Sequence, residues 1–174
     1  MFASPHRDPT REPTDRERAE LWRRLEKVRM AMLTTHDGDG RLAARPITTQ
    51  QAETSGVLWF FIPMEGDIAE DLARDPRVAL TYVDLSENLF VALRGTGQVL
   101  KDRAKARSLW NALAGAWFPH GPDDPRLALL RVDVERGEYW DAGASRLIQF
   151  FSIARAALTH TSPRHPGNHR EFRA

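Results

Sequence analysis

Three short segments of alternating apolar and polar residues follow one another within residues 30–62, separated only by turn residues. The first two are joined by the sequence HDGDG at 36–40, whose glycines can adopt positive φ and whose aspartates can accept hydrogen bonds from the nearby backbone. A parallel strand pair needs a crossover of a dozen or more residues, and this spacing leaves no room for one. The stretch therefore predicts three consecutive antiparallel strands.

Arg45 and Pro46 lie in the middle of the second of these strands. Proline cannot donate a hydrogen bond to a strand ladder, so it favours a sheet edge, a bulge or a position beside a ligand. Thr48 and Thr49 follow closely. An arginine held at such an irregularity is a candidate anion-binding group.

The rest of the chain predicts further strands with helices inserted between them. Three more strands are expected at residues 77–83, 89–101 and 127–135, with 138–141 continuing the last one, and Gly95 and Gly97 allow a bend or bulge. Helices are expected after a capping box formed by Thr14 and Glu17, and at 67–74, 102–114 and 145–158. Six or seven strands in up-and-down order predict an α+β, mostly β fold, a small antiparallel barrel with peripheral helices.

One domain is expected over residues 14–158. Residues 1–13 are rich in proline, arginine and aspartate, and we predict that they and residues 159–174 are disordered tails. Within the domain, the helix at 102–114 is expected to direct Leu109, Trp110 and Leu113 inward. A chain of 174 residues suits one domain, or a subunit that completes its core by dimerising.

The composition narrows the possible functions. A formal net charge of +1 gives no support for a nucleic-acid binder, and the absence of cysteine excludes disulfides, thiolate catalysis and cysteine-ligated zinc. No apolar run approaches the roughly 18 residues that a membrane-spanning helix needs. We therefore expect a cytoplasmic protein that binds neither nucleic acid nor a membrane.

Sequence motifs for nucleotide phosphates and for a hydrolase nucleophile are absent. Asp123 and Asp124 are expected to form turns in a proline-rich loop. Trp59 and Trp110 are expected in the core, whereas Trp117 in that loop and Trp140 after the last strand are candidates to face a flat aromatic ligand. We predict no catalytic side chain and no metal site.

The order of the motifs resembles the pyridoxamine 5′-phosphate oxidase-like flavoproteins, in their general stress protein branch. The matching pieces run over roughly residues 20–157 and include AMLTT, RPIT, LWFF, DPRVALTY, AWFPHGPDDP and EYWD, of which the last two are the most specific. The resemblance implies a split β-barrel that forms a homodimer, with FMN bound in grooves between the subunits. Because a flavin carries out its own redox chemistry, the resemblance also implies a possible flavin-dependent oxidoreductase.

The resemblance assigns roles to seven residues at matching positions. Arg45 would contact the flavin phosphate, and the backbone of the three residues after it would follow the flavin ring. Phe61 would lie nearby, Trp140 would come from the second subunit, and Trp117 would lie near the same groove. The predicted cofactor-binding residues are Arg45, Pro46, Ile47, Thr48, Phe61, Trp117 and Trp140.

The sequence departs from the family pattern after the third strand. Gly66, Asp67 and Ile68 stand where relatives usually carry serine, arginine and lysine around the FMN phosphate. The alternative function is therefore a split-barrel binding or interaction module with a degenerate flavin phosphate site, which binds FMN weakly or not at all. A further alternative is haem binding through His160, His165 or His169 in the tail.

Overall fold

Six antiparallel strands close into a barrel in the computed structural model, which describes residues 14–141 and 168–173. They pair in the order β3-β2-β1-β4-β5-β6, and additional pairing between β3 and β6 closes the ring. A seventh strand, β7, pairs with the end of β6. The strands are β1 Met30–His36, β2 Leu42–Ala52, β3 Val57–Pro63, β4 Arg77–Asp84, β5 Leu89–Leu100, β6 Leu127–Asp141 and β7 Asn168–Arg173. The predicted antiparallel barrel is confirmed.

Within residues 14–141 and 168–173, three α-helices lie around this barrel: α1 Asp15–Val28, α2 Asp67–Arg74 and α3 Arg103–Leu109. The predicted capping box begins α1, because Thr14 Oγ1 accepts from the Glu17 backbone N–H and the Glu17 carboxylate accepts from the Thr14 N–H. Two short 3₁₀ turns, Ala114–Ala116 and Gly121–Asp123, follow α3. Among the helices that the structure describes, none is long and apolar enough to cross a membrane.

The described part of the chain forms two hydrophobic cores, one on each side of the sheet. The main core fills the barrel with inward residues of β1 to β6 and is covered by α1 and by Leu72 of α2. A smaller second core lies under α3 and includes Ala106, Phe118 and Leu129. Trp59 and Trp110 were predicted in the core, and both are partly buried and pack against this second core.

A polar cluster fastens α3 to the sheet beside the second core. Lys105 Nζ donates to Gln51 Oε1 at 2.8 Å and to Glu53 Oε1 at 3.1 Å, and it lies 4.5 Å from the centre of the Trp59 ring. Trp59 Nε1 donates to the same Glu53 oxygen at 2.7 Å. The Trp59 ring is therefore held by both apolar and polar contacts.

The register between β5 and β6 shifts between Arg94 and Gly95, which confirms the bulge expected there. The backbones approach so closely that a Cβ on Gly95 would lie 2.0 Å from the carbonyl oxygen of Asp133. At Gly97 an added Cβ would lie 3.1 Å from side-chain atoms of Leu72 and Leu130. The bare backbone at Gly97 thus lets α2 pack directly on β5.

Some element boundaries differ from the prediction. The helix expected at 102–114 ends at Leu109, and Leu113, expected to point inward, is 67% exposed. The cause is Asn111, whose carbonyl and side-chain oxygens both accept from the Ala114 N–H and so begin a separate 3₁₀ turn. The expected helix at 145–158 lies outside the described residues.

The strand β7 lies within the segment 159–174 that was predicted to be a disordered tail. It pairs with β6 from Asp141 opposite Asn168 to Arg136 opposite Arg173. Pairing of β6 with β3 ends at Asp133, so the backbone groups on that edge of residues 136–141 are available to another strand. The prediction of disorder is wrong for residues 168–173.

Candidate functional site

Arg45 forms a closed triangle of hydrogen bonds with a neighbouring strand and a helix. Its Nη1 donates to Thr35 Oγ1 at 2.9 Å, and its Nη2 donates to Asp71 Oδ2 at 3.0 Å. The Thr35 hydroxyl in turn donates to the same Asp71 oxygen at 2.7 Å. The Asp71 side chain is 5% exposed and that of Arg45 is 25% exposed. The guanidinium is thus already paired with a buried carboxylate.

The position of Asp71 follows from the spacing of residues in α2. Leu72 is buried in the main core, and Ile68, one turn earlier, packs against that core. Residues three and four apart share one face of a helix, so Asp71 shares the face of Ile68. Docking of α2 on the barrel therefore directs a carboxylate towards Thr35 and Arg45.

A second carboxylate lies near the same arginine. Asp67 Oδ2 is 3.9 Å from Arg45 Nη2, and the Asp67 side chain is 82% exposed at the first position of α2. A helix N-terminus carries a partial charge of about +0.5, so two carboxylates, one guanidinium and this terminus leave a net charge of about −0.5. The residues present around Arg45 therefore do not fit a phosphate dianion.

The strand edge beside Arg45 is open along part of β2. Hydrogen-bonded pairing of β2 with β3 is confined to residues 49–52, whereas pairing with β1 covers residues 42–48. Within the described residues, Arg45 to Thr48 thus have a strand on one side only. Of the three positions expected for Pro46, a sheet edge, a bulge or a site beside a ligand, the pairing shows the sheet edge. Ile47 is buried, while Pro46 and Thr48 lie on the outer face.

Thr48 and Trp140 each pair, across neighbouring strands, with an apolar residue on the outside of the barrel. Met30 pairs with Thr48, and Phe90 pairs with both Val83 and Trp140. We call the exposed residues Met30, Met32, Pro46, Val83 and Phe90 the outer apolar face. This face crosses β2, β1, β4 and β5.

The other two predicted aromatics, Phe61 and Trp117, lie on elements other than the four strands of this face. Phe61 packs in the second core, with its ring centre 5.8 Å from that of Trp110 and 6.5 Å from that of Phe118. Trp117 lies after the first 3₁₀ turn and is 80% exposed. The flavin-binding roles of Phe61, Trp117 and Trp140 stay predictions.

The two aspartates of the proline-rich loop stabilise the conformation of that loop. Asp124 is buried and accepts hydrogen bonds from the Arg126 backbone and side chain, and Asp123 pairs with Arg107. The side-chain hydrogen bond from Arg126 is the main cause that lowers the pKa of Asp124 below its ordinary value. The predicted turn-forming role is confirmed.

Sequence reasoning missed Thr35 and Asp71 as partners of Arg45. It identified Asp67, which is the more exposed and more distant of the two carboxylates. The available signal was the periodicity of α2, in which residue 71 follows the apolar position 68 by three residues. That spacing would have placed the carboxylate on the packed face of the helix.

The comparisons with known proteins agree on one family. The model of the family described as "Pyridoxamine 5'-phosphate oxidase like" matches residues 16–164. The solved structure of a general stress FMN/FAD binding protein from Xanthomonas citri is 32% identical, with a TM-score of 0.67, and the match covers 77% of this chain and 94% of that one.

Two further relatives extend this comparison. A protein assigned as general stress protein 26 in Jannaschia sp. is 31% identical with a TM-score of 0.70, over 90% of this chain and 97% of its own. Protein bli-3 of Neurospora crassa is 26% identical over 160 residues, which cover 86% of this chain and 77% of the relative.

Proposed function

Because the chain belongs to the pyridoxamine 5′-phosphate oxidase-like family, we propose that it binds a flavin along the open edge of β2. The observation that carries this proposal is the edge at Arg45 to Thr48, which no strand among the described residues covers and which borders the outer apolar face. The general stress FMN/FAD binding protein of Xanthomonas citri supports a flavin as the class of ligand. FMN is the member of this class that the sequence predicts.

The proposal gives a role to six of the seven predicted site residues, all except Arg45. The backbone from Pro46 to Thr48 would run along the flavin ring, as Pro46 has no N–H that a strand partner would need. The ring of Trp140 would approach from a second copy of the chain. Trp117 is placed on a loop where its exposed ring is free to cover a ligand, and Phe61 supports that loop through Phe118.

We propose that the second copy docks on the outer apolar face, so that the protein is a homodimer. Monomeric proteins seldom leave a contiguous apolar patch of several large side chains in water. Met30, Met32, Val83 and Phe90 are all exposed in the single chain, and the open edge of β2 borders them. A dimer on this face would bury the patch and close one side of the flavin groove.

The bound flavin would supply electron transfer, and the chain would supply position and shielding. A flavin-dependent oxidoreductase activity is the catalytic consequence of this proposal. The described residues contribute apolar packing and backbone hydrogen-bonding groups to the groove. A cytoplasmic location stays a prediction.

The purified protein is expected to bind flavin, with absorbance near 450 nm when loaded. The measurement is a titration of the apoprotein with FMN and with riboflavin, followed by the quenching of flavin fluorescence. Ligand released by denaturation and separated by chromatography identifies the flavin. A colourless protein that takes up neither flavin would contradict the proposed function.

Replacing Met32 by glutamate is expected to shift the monomer–dimer equilibrium towards monomer by about 100-fold or more. The single interface of the dimer would then bury two unpaired carboxylates, one from each copy, and each costs several kcal/mol. Sedimentation velocity over a concentration series measures the shift. Met64→Glu, an exposed methionine just after β3, is the matched control and is expected to remain dimeric. If both variants sediment like the wild type, the outer apolar face is not the interface.

A second candidate function is an interaction module without a bound flavin. The observation that favours it is the pairing of Arg45 with Asp71, which occupies the arginine expected to hold the phosphate. In that case the protein would still dimerise through the outer apolar face but would bind neither FMN nor riboflavin. The titration described above separates the two functions.

A further inference from the structure

We infer that this site discriminates against the phosphate of its ligand, so that a flavin ending in a hydroxyl binds at least as tightly as FMN. The inference rests on the proposed flavin-binding function and concerns which flavin the groove accepts. Riboflavin is the flavin whose ribityl chain ends in a hydroxyl. The arrangement of charges around Arg45 carries the inference.

The first step is that the Arg45 guanidinium already has an anionic partner inside the fold. Asp71 is almost fully buried, and its carboxylate is held by Arg45 and by the Thr35 hydroxyl. A phosphate that took Arg45 for itself would leave this carboxylate buried without its cation, which is strongly unfavourable. Arg45 is therefore better described as the internal counter-ion of Asp71 than as a free phosphate ligand.

The second step is that the accessible charge beside Arg45 is negative. Asp67 is exposed and lies 3.9 Å from Arg45, at the N-terminus of α2. A phosphate placed against Arg45 from the solvent side would meet this carboxylate at a comparable distance. Like charges at such a distance repel, and a dianion is repelled about twice as strongly as a single charge.

The third step is that a hydroxyl can bind a site that offers both a carboxylate and a guanidinium. A hydroxyl can donate to a carboxylate such as Asp67 and can also accept from a guanidinium such as Arg45. A phosphate dianion can only accept, so it gains nothing from Asp67. The site thus favours an uncharged chain end over a phosphate.

The test compares riboflavin with FMN in fluorescence titrations of the full-length protein at low and at high salt. We expect the Kd for riboflavin to be equal to or lower than the Kd for FMN at low salt. Repulsion of the phosphate is screened by salt, so FMN binding is expected to tighten as salt is added, while riboflavin binding stays constant.

The variant Asp67→Asn isolates the charge. It is expected to lower the Kd for FMN by about fivefold and to change the Kd for riboflavin by less than about twofold, because only FMN carries the phosphate. Glu70→Gln is the matched control, since Glu70 lies on the same helix but is exposed and paired with Arg74. It is expected to change neither Kd by more than about twofold.

The outcomes separate this inference from the proposed function. If the wild type binds FMN more tightly than riboflavin at low salt, the inference is wrong and the flavin-binding function stands. If FMN gains no more than riboflavin from Asp67→Asn, the assignment of discrimination to this carboxylate is wrong. If neither flavin binds, the proposed function is overturned and the inference falls with it.

Discussion

Replacement of Gly95 by alanine is expected to lower the free energy of unfolding by about 3 kcal/mol. The new Cβ would lie 2.0 Å from the Asp133 carbonyl oxygen, a backbone atom that has no rotamer through which to move away. Relief would require β5 and β6 to separate at the bulge, where their hydrogen-bond register shifts. Chemical denaturation followed by tryptophan fluorescence measures the loss of stability. The melting temperature is expected to fall by about 6–12 °C.

Gly115→Ala is the matched control for this prediction. An added Cβ at Gly115 meets nothing within 4 Å. The substitution is therefore expected to leave stability unchanged or to raise it slightly, because alanine restricts the unfolded chain more than glycine does. Equal stabilities of the two variants would show that the close approach at Gly95 is not a constraint on the fold.

Replacement of Asp71 by alanine is expected to lower the free energy of unfolding by about 2–3 kcal/mol. The change leaves Arg45 without its buried counter-ion and leaves the Thr35 hydroxyl without its acceptor. The expected cost lies below that of a fully buried pair because Arg45 is partly exposed and Asp67 lies 3.9 Å away. Denaturation in urea, which adds no ionic strength, is the suitable measurement.

The neighbouring variant Glu70→Ala removes a carboxylate from the same helix without touching Arg45. Its side chain is 64% exposed and lies 4.0 Å from Arg74, so the change is expected to stay within about 0.5 kcal/mol of the wild type. A second test is the double variant Arg45→Met/Asp71→Leu, which replaces the pair by apolar side chains. It is expected to recover part of the lost stability, and failure to do so would indicate that the pair has a further structural role.

The strands could be predicted because their signals are local. The turn at 36–40 shows this: Asp37 accepts from the backbone of Asp39 and Arg41, and Gly40 adopts a φ of 76°. The alternation of buried and exposed residues in β4 likewise follows directly from the sequence. Local hydrogen bonding and side-chain period are properties that a short stretch of chain carries by itself.

The end of α3 and the presence of β7 depend on distant partners and were predicted wrongly. The side chain of Asn111, which begins the next turn, is also bonded to Gln50 of β2. The strand β7 depends on the free edge of β6. Neither partner can be identified from the period of the local sequence.

The part of the candidate site on β2 was predicted from the sequence, whereas the contribution of α2 was missed. The proline next to Arg45 indicated a sheet edge, a bulge or a position beside a ligand, and the pairing of β2 shows the first of these. The buried partner Asp71 comes from a helix whose orientation is decided by Leu72 and the bare backbone of Gly97. The electrostatic state of Arg45 is therefore a property of tertiary packing.

The strand β6 has consequences for the order in which the barrel assembles. Its first half pairs with β3, from Leu127 opposite Pro63 to Asp133 opposite Val57, and residues 129–133 pair with β5 as well. During synthesis the five earlier strands leave the ribosome before β6 does. One edge of β3 therefore stays unpaired until residues 127–133 have been synthesised. Because joining segments so far apart in sequence is entropically costly, the pairing of β3 with β6 is expected to limit the rate of folding. The second core contains Leu127 and Leu129 of β6, so it cannot be complete before that strand has joined the barrel.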